Sequence, residues 1–115
     1  MSIETLVHIN GYYDILCALC LSNTLWIPIL DEIHSRMFVD KLDSYTRRNI
    51  GYFILLQGCI RTSFSVNNKR DITYISYLAE TYWIANETFY HNTIHKQNGV
   101  FVIVLCLLCA YLTKI

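Results

Sequence analysis

The sequence predicts an all-α protein, a four-helix transmembrane bundle that forms a single membrane domain over residues 1–115. Apolar residues make up 54% of the chain, and the mean hydropathy is +0.33, which is more apolar than most soluble domains of this size. One proline and four glycines leave little material for the turns of a many-stranded β protein. A soluble four-helix bundle is the alternative fold.

The balance of basic and acidic residues limits the classes of partner that we expect for this chain. Nine basic residues balance nine acidic ones, so the chain has no broad basic field for a phosphate backbone and nucleic acid is not an expected partner. The expected partners are the lipid bilayer and other integral membrane proteins.

The first helix is predicted at about 4–26, where Pro28 follows and ends or kinks it. At ~1.5 Å per residue this segment is just long enough to cross a ~30 Å hydrocarbon core. Asp14 interrupts its apolar sequence. We expect Asp14 to lie near the membrane interface or to face the bundle, because a charged side chain in lipid is costly.

A polar connection follows, and it has the pattern of a solvated loop that can hold a short amphipathic helix through Ile33, Met37, Phe38 and Leu42. Helix two is predicted at about 46–66. A tight polar turn, Asn67 to Arg70, leads into helix three at about 71–91.

Helix four is predicted at about 99–114 and contains the most apolar segment of the chain, Val100 to Leu112. This apolar run is shorter than the ~18 residues that identify a transmembrane helix unaided. The membrane prediction therefore depends on all four helices together.

Three ionisable residues lie within the apolar sequence of helices two and three: Arg61, Glu80 and Glu87. In an antiparallel hairpin, Arg61 comes nearer to Glu80 than to Glu87, and we expect an Arg61–Glu80 ion pair that sets the register of the hairpin. Glu87 is then left for an outside partner or for lipid headgroups. These residues are the candidate polar contacts of the protein.

Small residues recur every seven positions in helix two, at Gly51, Gly58 and Ser65. They lie on one helical face, where another helix can approach closely. That helix belongs either to a partner protein or to the bundle itself.

The residues that could bind a metal have a simpler interpretation as residues of a polar connection or of the core. Glu87, His91 and His95 recur every four residues and are weak candidates for a metal or haem site, but the spacing requires a helix to continue through a polar connection. The Cys17/Cys20 and Cys106/Cys109 pairs lie in apolar helices and are interpreted as core residues. No cofactor is expected.

Catalysis is not expected either. The sequence has no Gly-x-Ser-x-Gly elbow, no cysteine and histidine signature and no phosphate-binding glycine loop. We therefore interpret the chain as a protein that is not an enzyme.

Several spacings resemble those of the ergosterol biosynthetic protein twenty-eight family, small four-helix membrane proteins of the endoplasmic reticulum. The resemblance extends over almost the whole chain. Its main elements are Arg48-x-x-Gly51, Leu55-Leu56 and Ile60-Arg61 in helix two, Glu87 followed six residues later by Thr93, and Gly99-Val100 at the start of the last helix.

The resemblance implies a non-catalytic scaffold that tethers the enzymes of sterol C-4 demethylation: a methyl oxidase, a dehydrogenase/decarboxylase and a keto reductase. It also implies an endoplasmic-reticulum location. The candidate partner contacts are Arg61, Glu80, Glu87, Arg48 and Thr93.

Two other functions remain open. One is an accessory structural subunit of a large organellar complex, such as a respiratory complex or ATP synthase of the mitochondrial inner membrane. The other, ranked lower, is a small haem- or metal-binding membrane protein. The three hypotheses are therefore separated by what co-purifies with the chain: sterol enzymes, organellar subunits or a bound metal.

Overall fold

The fold is all-helical, as predicted. The computed structural model describes residues 2–22, 24–65 and 70–114, without the side chain of Asp31. Within these ranges extended pairing is limited to isolated bridges. The helices are α1 (Ile3–Leu21), α2 (Pro28–Met37), α3 (Ser44–Thr62), α4 (Arg70–Ala85) and α5 (Lys96–Lys114), and the π-helical turn Asn86–Tyr90 continues α4.

The observed helices differ from the predicted ones mainly in the first connection. Helix one ends at Leu21 with Ser22 as its C-cap, and a separate helix, α2, starts with Pro28 in its first turn. The fixed φ of proline suits that position. The predicted amphipathic helix is therefore present, but it ends at Met37 before Leu42. Most of the predicted Asn67–Arg70 turn lies outside the described residues.

Side-chain caps set the start of two long helices. The backbone N–H of Thr5 donates to the Ser2 side chain at the start of α1. The N–H of Thr46 donates to Asp43 Oδ1 over 2.8 Å at the start of α3. The hydrogen bonds from Thr46 favour the ionised carboxylate and lower the pKa of Asp43 below its ordinary value. Asp43 therefore explains why α3 begins where it does.

The long helices pack as two pairs, α1 with α3 and α4 with α5. Glycine makes the first pair possible: a Cβ atom on Gly58 would lie 2.7 Å from Ile15 Cγ1 and 2.8 Å from the carbonyl oxygen of Gly11. Gly51 likewise faces α1, at Ala18 and Leu21. The small-residue face of helix two is thus filled by α1 of the same chain, and the hypothesis that it receives a partner protein's helix is wrong for these two glycines.

A short extended pairing joins two connections at one end of the bundle. Phe38 and Ile94 form an antiparallel bridge, in which the N–H of Val39 donates to Thr93 O over 2.8 Å and the N–H of His95 donates to Met37 O over 3.0 Å. Phe38 and Ile94 are buried together with Ile84. The connection between α2 and α3 and the connection that precedes α5 therefore meet over a small apolar cluster.

In the part of the chain that the structure describes, α5 is the one helix long and apolar enough to cross a membrane. The four predicted transmembrane spans are therefore not confirmed. Polar residues account for the difference, because Glu4, His8 and Asp14 lower the hydropathy of α1 and α4 has only 16 residues. The length and composition of α5 also occur in core helices of soluble proteins, but only 22% of its apolar window is buried.

Candidate functional site

The centre of the bundle holds a buried cation, Arg61, whose side chain is 1% exposed. Its Nη1 lies 2.7 Å from Asp14 Oδ2, and its Nη2 lies 2.8 Å from Glu80 Oε1. The predicted Arg61–Glu80 ion pair is therefore present, and it joins α3 to α4. Asp14 adds α1 as a third helix, a partner that sequence reasoning left unassigned.

Arg61 also has neutral partners on α4. Its Nε donates to Ser76 Oγ over 3.3 Å, and its Nη2 donates to Ser76 O over 3.4 Å. The guanidinium carbon lies 3.9 Å from the centre of the Tyr77 ring, a cation–π distance. We call Asp14, Arg61, Ser76, Tyr77 and Glu80 the Arg61 cluster. It satisfies the buried cation from both helix pairs.

The Arg61 cluster extends toward the start of α1 through Tyr77. The Tyr77 hydroxyl donates to Asn10 Oδ1 over 2.6 Å, and His8 Nε2 lies 2.6 Å from the carbonyl oxygen of Phe64. These bonds join α1 to α4 and to the end of α3. Polar side chains thus run through the interior along much of α1.

A cavity of about 620 Å³ lies between the two helix pairs, beside the Arg61 cluster. Its charged and amide-bearing lining includes Asp14, Arg61, Glu80 and Gln57. Its wall is otherwise largely apolar and includes Met37, Ile54, Trp83, Phe101, Val102 and Leu105. The lining also includes Asn10, His34, Arg36 and Asn98, so the cavity has a largely apolar wall with several polar groups, as ligand pockets do.

Gln57 is the feature of this cavity that sequence reasoning missed. The side chain is 4% exposed, and its Oε1 has no hydrogen-bond partner among the described residues. One signal was available, because Gln57 lies four residues before Arg61 and so shares its face of the helix.

Glu87 and Thr93 lie at the other end of α4 and belong to a local structure. The Thr93 N–H donates to Glu87 O over 2.8 Å, and Thr93 Oγ1 donates to Glu87 Oε2 over 2.9 Å. Asn92 between them has a φ of 58°, in the left-handed region that asparagine tolerates. These two candidate contacts therefore close the end of the π-helical turn and lie apart from the Arg61 cluster.

Arg48 is also apart from the cluster, in the first turns of α3. It is half-buried, and its charge contributes to the low pKa of Asp43. Of the five candidate contacts, the structure therefore brings Arg61 and Glu80 together, pairs Glu87 with Thr93, and places Arg48 at the helix start.

The residues proposed as metal ligands do not form a site. His91 and His95 are both exposed; the His91 ring lies edge-on to Tyr90, with centroids 4.7 Å apart. Within the described ranges, no three His, Cys, Asp or Glu side chains are grouped so that they could hold a metal ion. All five cysteines are free thiols, with Cys17, Cys20 and Cys106 buried as core residues.

Fold and site together define a small helical protein whose buried ion pairs join three helices beside a largely apolar cavity. Comparisons with protein-family models, with curated proteins and with solved structures find no match to this chain.

Proposed function

We propose that this chain is a non-catalytic integral membrane scaffold that holds other membrane proteins together. The observation that supports it most is the combination of a buried charge with a largely apolar outer surface. The interior is mainly apolar but contains Arg61, Gln57 and Ser76, and many large apolar side chains are exposed on the outside. Charged residues of membrane helices face the bundle interior in the same way.

The outer apolar surface includes side chains of all four long helices. On α5, Phe101 is 65% exposed, Val104 58% and Leu108 52%. Comparable exposed residues on the other helices are Ile9 and Tyr12 of α1, Leu55 and Leu56 of α3, and Ile72, Ile75 and Leu78 of α4. Apolar surface of this extent marks contact with lipid or with other proteins.

The family resemblance supplies the particular role. Several residues that carry it lie at helix contacts: Gly51 against α1 and Gly99 against Thr88, and Glu87 bonded to Thr93. These positions are thus used to build the fold. The scaffold role, the sterol C-4 demethylation enzymes as partners and the endoplasmic-reticulum location are taken from the resemblance alone.

The test is affinity purification of the tagged full chain from native membranes in a mild detergent, followed by mass spectrometry. We expect the methyl oxidase, dehydrogenase/decarboxylase and keto reductase of sterol C-4 demethylation to be recovered together. An unrelated tagged membrane protein of similar size, expressed at the same level in the same organelle, is the control for non-specific recovery.

The accessory-subunit hypothesis predicts a different result from the same experiment. Stoichiometric recovery of respiratory-chain or ATP-synthase subunits, without sterol enzymes, would contradict the sterol scaffold and place the chain in the mitochondrial inner membrane. Recovery of the same proteins with the control bait would contradict both functions.

A further inference from the structure

We propose that the cavity beside the Arg61 cluster is a binding site for a lipid-like molecule that carries a hydroxyl or ammonium group on an elongated apolar body. The head group donates a hydrogen bond to Gln57 Oε1, and the apolar body lies along the wall between the helix pairs. This site is independent of the scaffold role, because it depends only on the interior of the chain.

The size and lining of the cavity suit an apolar body. Its volume of about 620 Å³ is within the ~300–1,000 Å³ common for small-molecule sites. Trp83, Phe101 and Leu105 supply wide apolar surface. The two helix pairs make few contacts with each other compared with those inside each pair, so the wall, to which α2 also contributes residues, is not closed by tight packing.

Gln57 defines the head group. A buried amide oxygen that has no partner is unfavourable, since the protein gives up its hydrogen bond to water and receives none in return. Gln57 Oε1 is such an atom among the described residues and has almost no accessible surface of its own, while the Gln57 side chain lines the cavity. A ligand therefore meets this oxygen after a rotation of the side-chain amide toward the cavity. An O–H or N–H group of a ligand satisfies it, whereas a carboxylate has no proton to donate.

The charges around the cavity favour the same head groups. Two carboxylates, Asp14 and Glu80, face one deep cation, Arg61. Arg36 also borders the cavity, but its side chain is 77% exposed and paired with Glu32, so solvent screens it. His34 at the same border lies 3.1 Å from Leu30 O through Nδ1. An anionic head is therefore disfavoured beside the two carboxylates.

Trp83 allows binding to be measured directly. The chain has two tryptophans, and Trp26 is 77% exposed and absent from the cavity lining. In a Trp26→Phe background, the tryptophan fluorescence of the chain therefore comes from Trp83 and reports binding in the cavity. The protein is reconstituted in phosphatidylcholine vesicles, because this lipid has no hydrogen-bond donor to compete for Gln57 and vesicles add no tryptophan. It is then titrated with a brominated long-chain alcohol, amine or carboxylate.

We expect the alcohol and the amine to quench Trp83 fluorescence saturably, and an excess of the unbrominated alcohol to restore it. The carboxylate is expected to quench only in proportion to its amount in the bilayer. Stronger binding by the alcohol or by the amine identifies which of the two head groups the site takes.

Gln57→Leu removes the acceptor with little change of volume, and Gln97→Leu is the matched control on an exposed position outside the cavity. Loss of one hydrogen bond predicts about three- to tenfold weaker quenching affinity for Gln57→Leu and no change for Gln97→Leu.

Quenching that is linear in probe concentration, equal for all three head groups and not reversed by unbrominated alcohol would overturn the proposal. So would unchanged affinity in a folded Gln57→Leu protein. Should Gln57→Leu fail to fold, reversal by unbrominated alcohol in the Trp26→Phe protein decides the question without it.

Discussion

Arg61 shows how a single buried cation organises the chain. With 1% exposure it cannot be hydrated, so its stability in the fold depends on the partners that surround it. Asp14 and Glu80 supply opposite charge, and Ser76 and Tyr77 supply neutral contacts. A buried ion pair of this kind adds little net stability over an apolar replacement, but losing one member leaves charge unpaired.

We predict that Arg61→Ala destabilises the protein by about 3–5 kcal/mol, because it empties a buried site and leaves the half-buried carboxylates Asp14 and Glu80 without a counter-charge. Thermal unfolding of the purified protein in mild detergent measures the change. A wild-type unfolding temperature in Arg61→Ala would show that the Arg61 cluster does not hold the helices together.

Two further variants test whether the loss of stability in Arg61→Ala comes from the burial of Arg61 or from the loss of any arginine. Arg36→Ala breaks an exposed ion pair with Glu32 and is expected to cost less than about 1 kcal/mol. Replacing the whole set, as Arg61→Met with Asp14→Asn and Glu80→Gln, is expected to recover most of the stability, since no unpaired charge remains.

The sequence predicted the Arg61–Glu80 ion pair because both residues are charged, lie in apolar helices and flank the predicted turn that joins those helices. Asp14 stood out equally, yet its partner was not predictable. The contact joins α1 to α3 across 47 positions, and local spacing contains no information about which face α1 turns toward α3.

Close approach between helices depends on individual glycines in this chain. A Cβ atom on Gly99 would lie 2.6 Å from Thr88 Cγ2 and 2.9 Å from Thr88 Cβ, where α5 starts beside the π-helical turn. The Thr88 side chain is fully buried, so it cannot move into solvent. This contact fixes α5 against the end of α4.

We predict that Gly99→Ala destabilises the protein by about 1–3 kcal/mol, because the added methyl overpacks the contact. Chemical or thermal unfolding followed by circular dichroism measures it. Thr88→Ala in the same chain is expected to restore part of the loss, because it removes Cγ2 and Oγ1, which the methyl meets; Oγ1 has no hydrogen-bond partner among the described residues.

Gly51→Ala is the matched control for Gly99→Ala. There the new Cβ would lie 3.1 Å from Ala18 O and 3.3 Å from Leu21 Cβ, a milder contact, and the higher helix propensity of alanine offsets about 1 kcal/mol. Equal losses for Gly51→Ala and Gly99→Ala would contradict the explanation by overpacking.

The apolar segments of the sequence were enough to predict the long helices. The Asp43 cap explains where α3 begins. The seven-residue spacing of Gly51 and Gly58 correctly indicated a close helix contact. Its partner was not predictable, because an internal helix and an outside helix require the same small residues.

The exposed face of α5 offers a test of whether the surface of the protein faces lipid or water. Val104 lies near its middle and is 58% exposed. We predict that Val104→Arg reduces the fraction of the chain that stays with membranes after alkaline carbonate extraction, since an arginine, which keeps its charge in alkali, is disfavoured at mid-bilayer by roughly 2.5–3.5 kcal/mol.

Gln97→Arg is the control for this experiment, because Gln97 is exposed and lies at the start of α5, where an arginine can reach the headgroups. It is expected to leave the membrane fraction unchanged. A wild-type chain that carbonate extracts completely would contradict the membrane location itself.

Composition and local spacing were enough to predict a helical, unusually apolar chain in which Arg61 pairs with an acidic residue of the next long helix, because these properties depend on one or two segments. The pairing of α1 with α3, the place of Asp14 in the Arg61 cluster and the position of Gln57 beside a cavity became known from the folded structure. These features depend on how whole helices rotate against one another, which is set by many weak contacts between residues far apart in the chain.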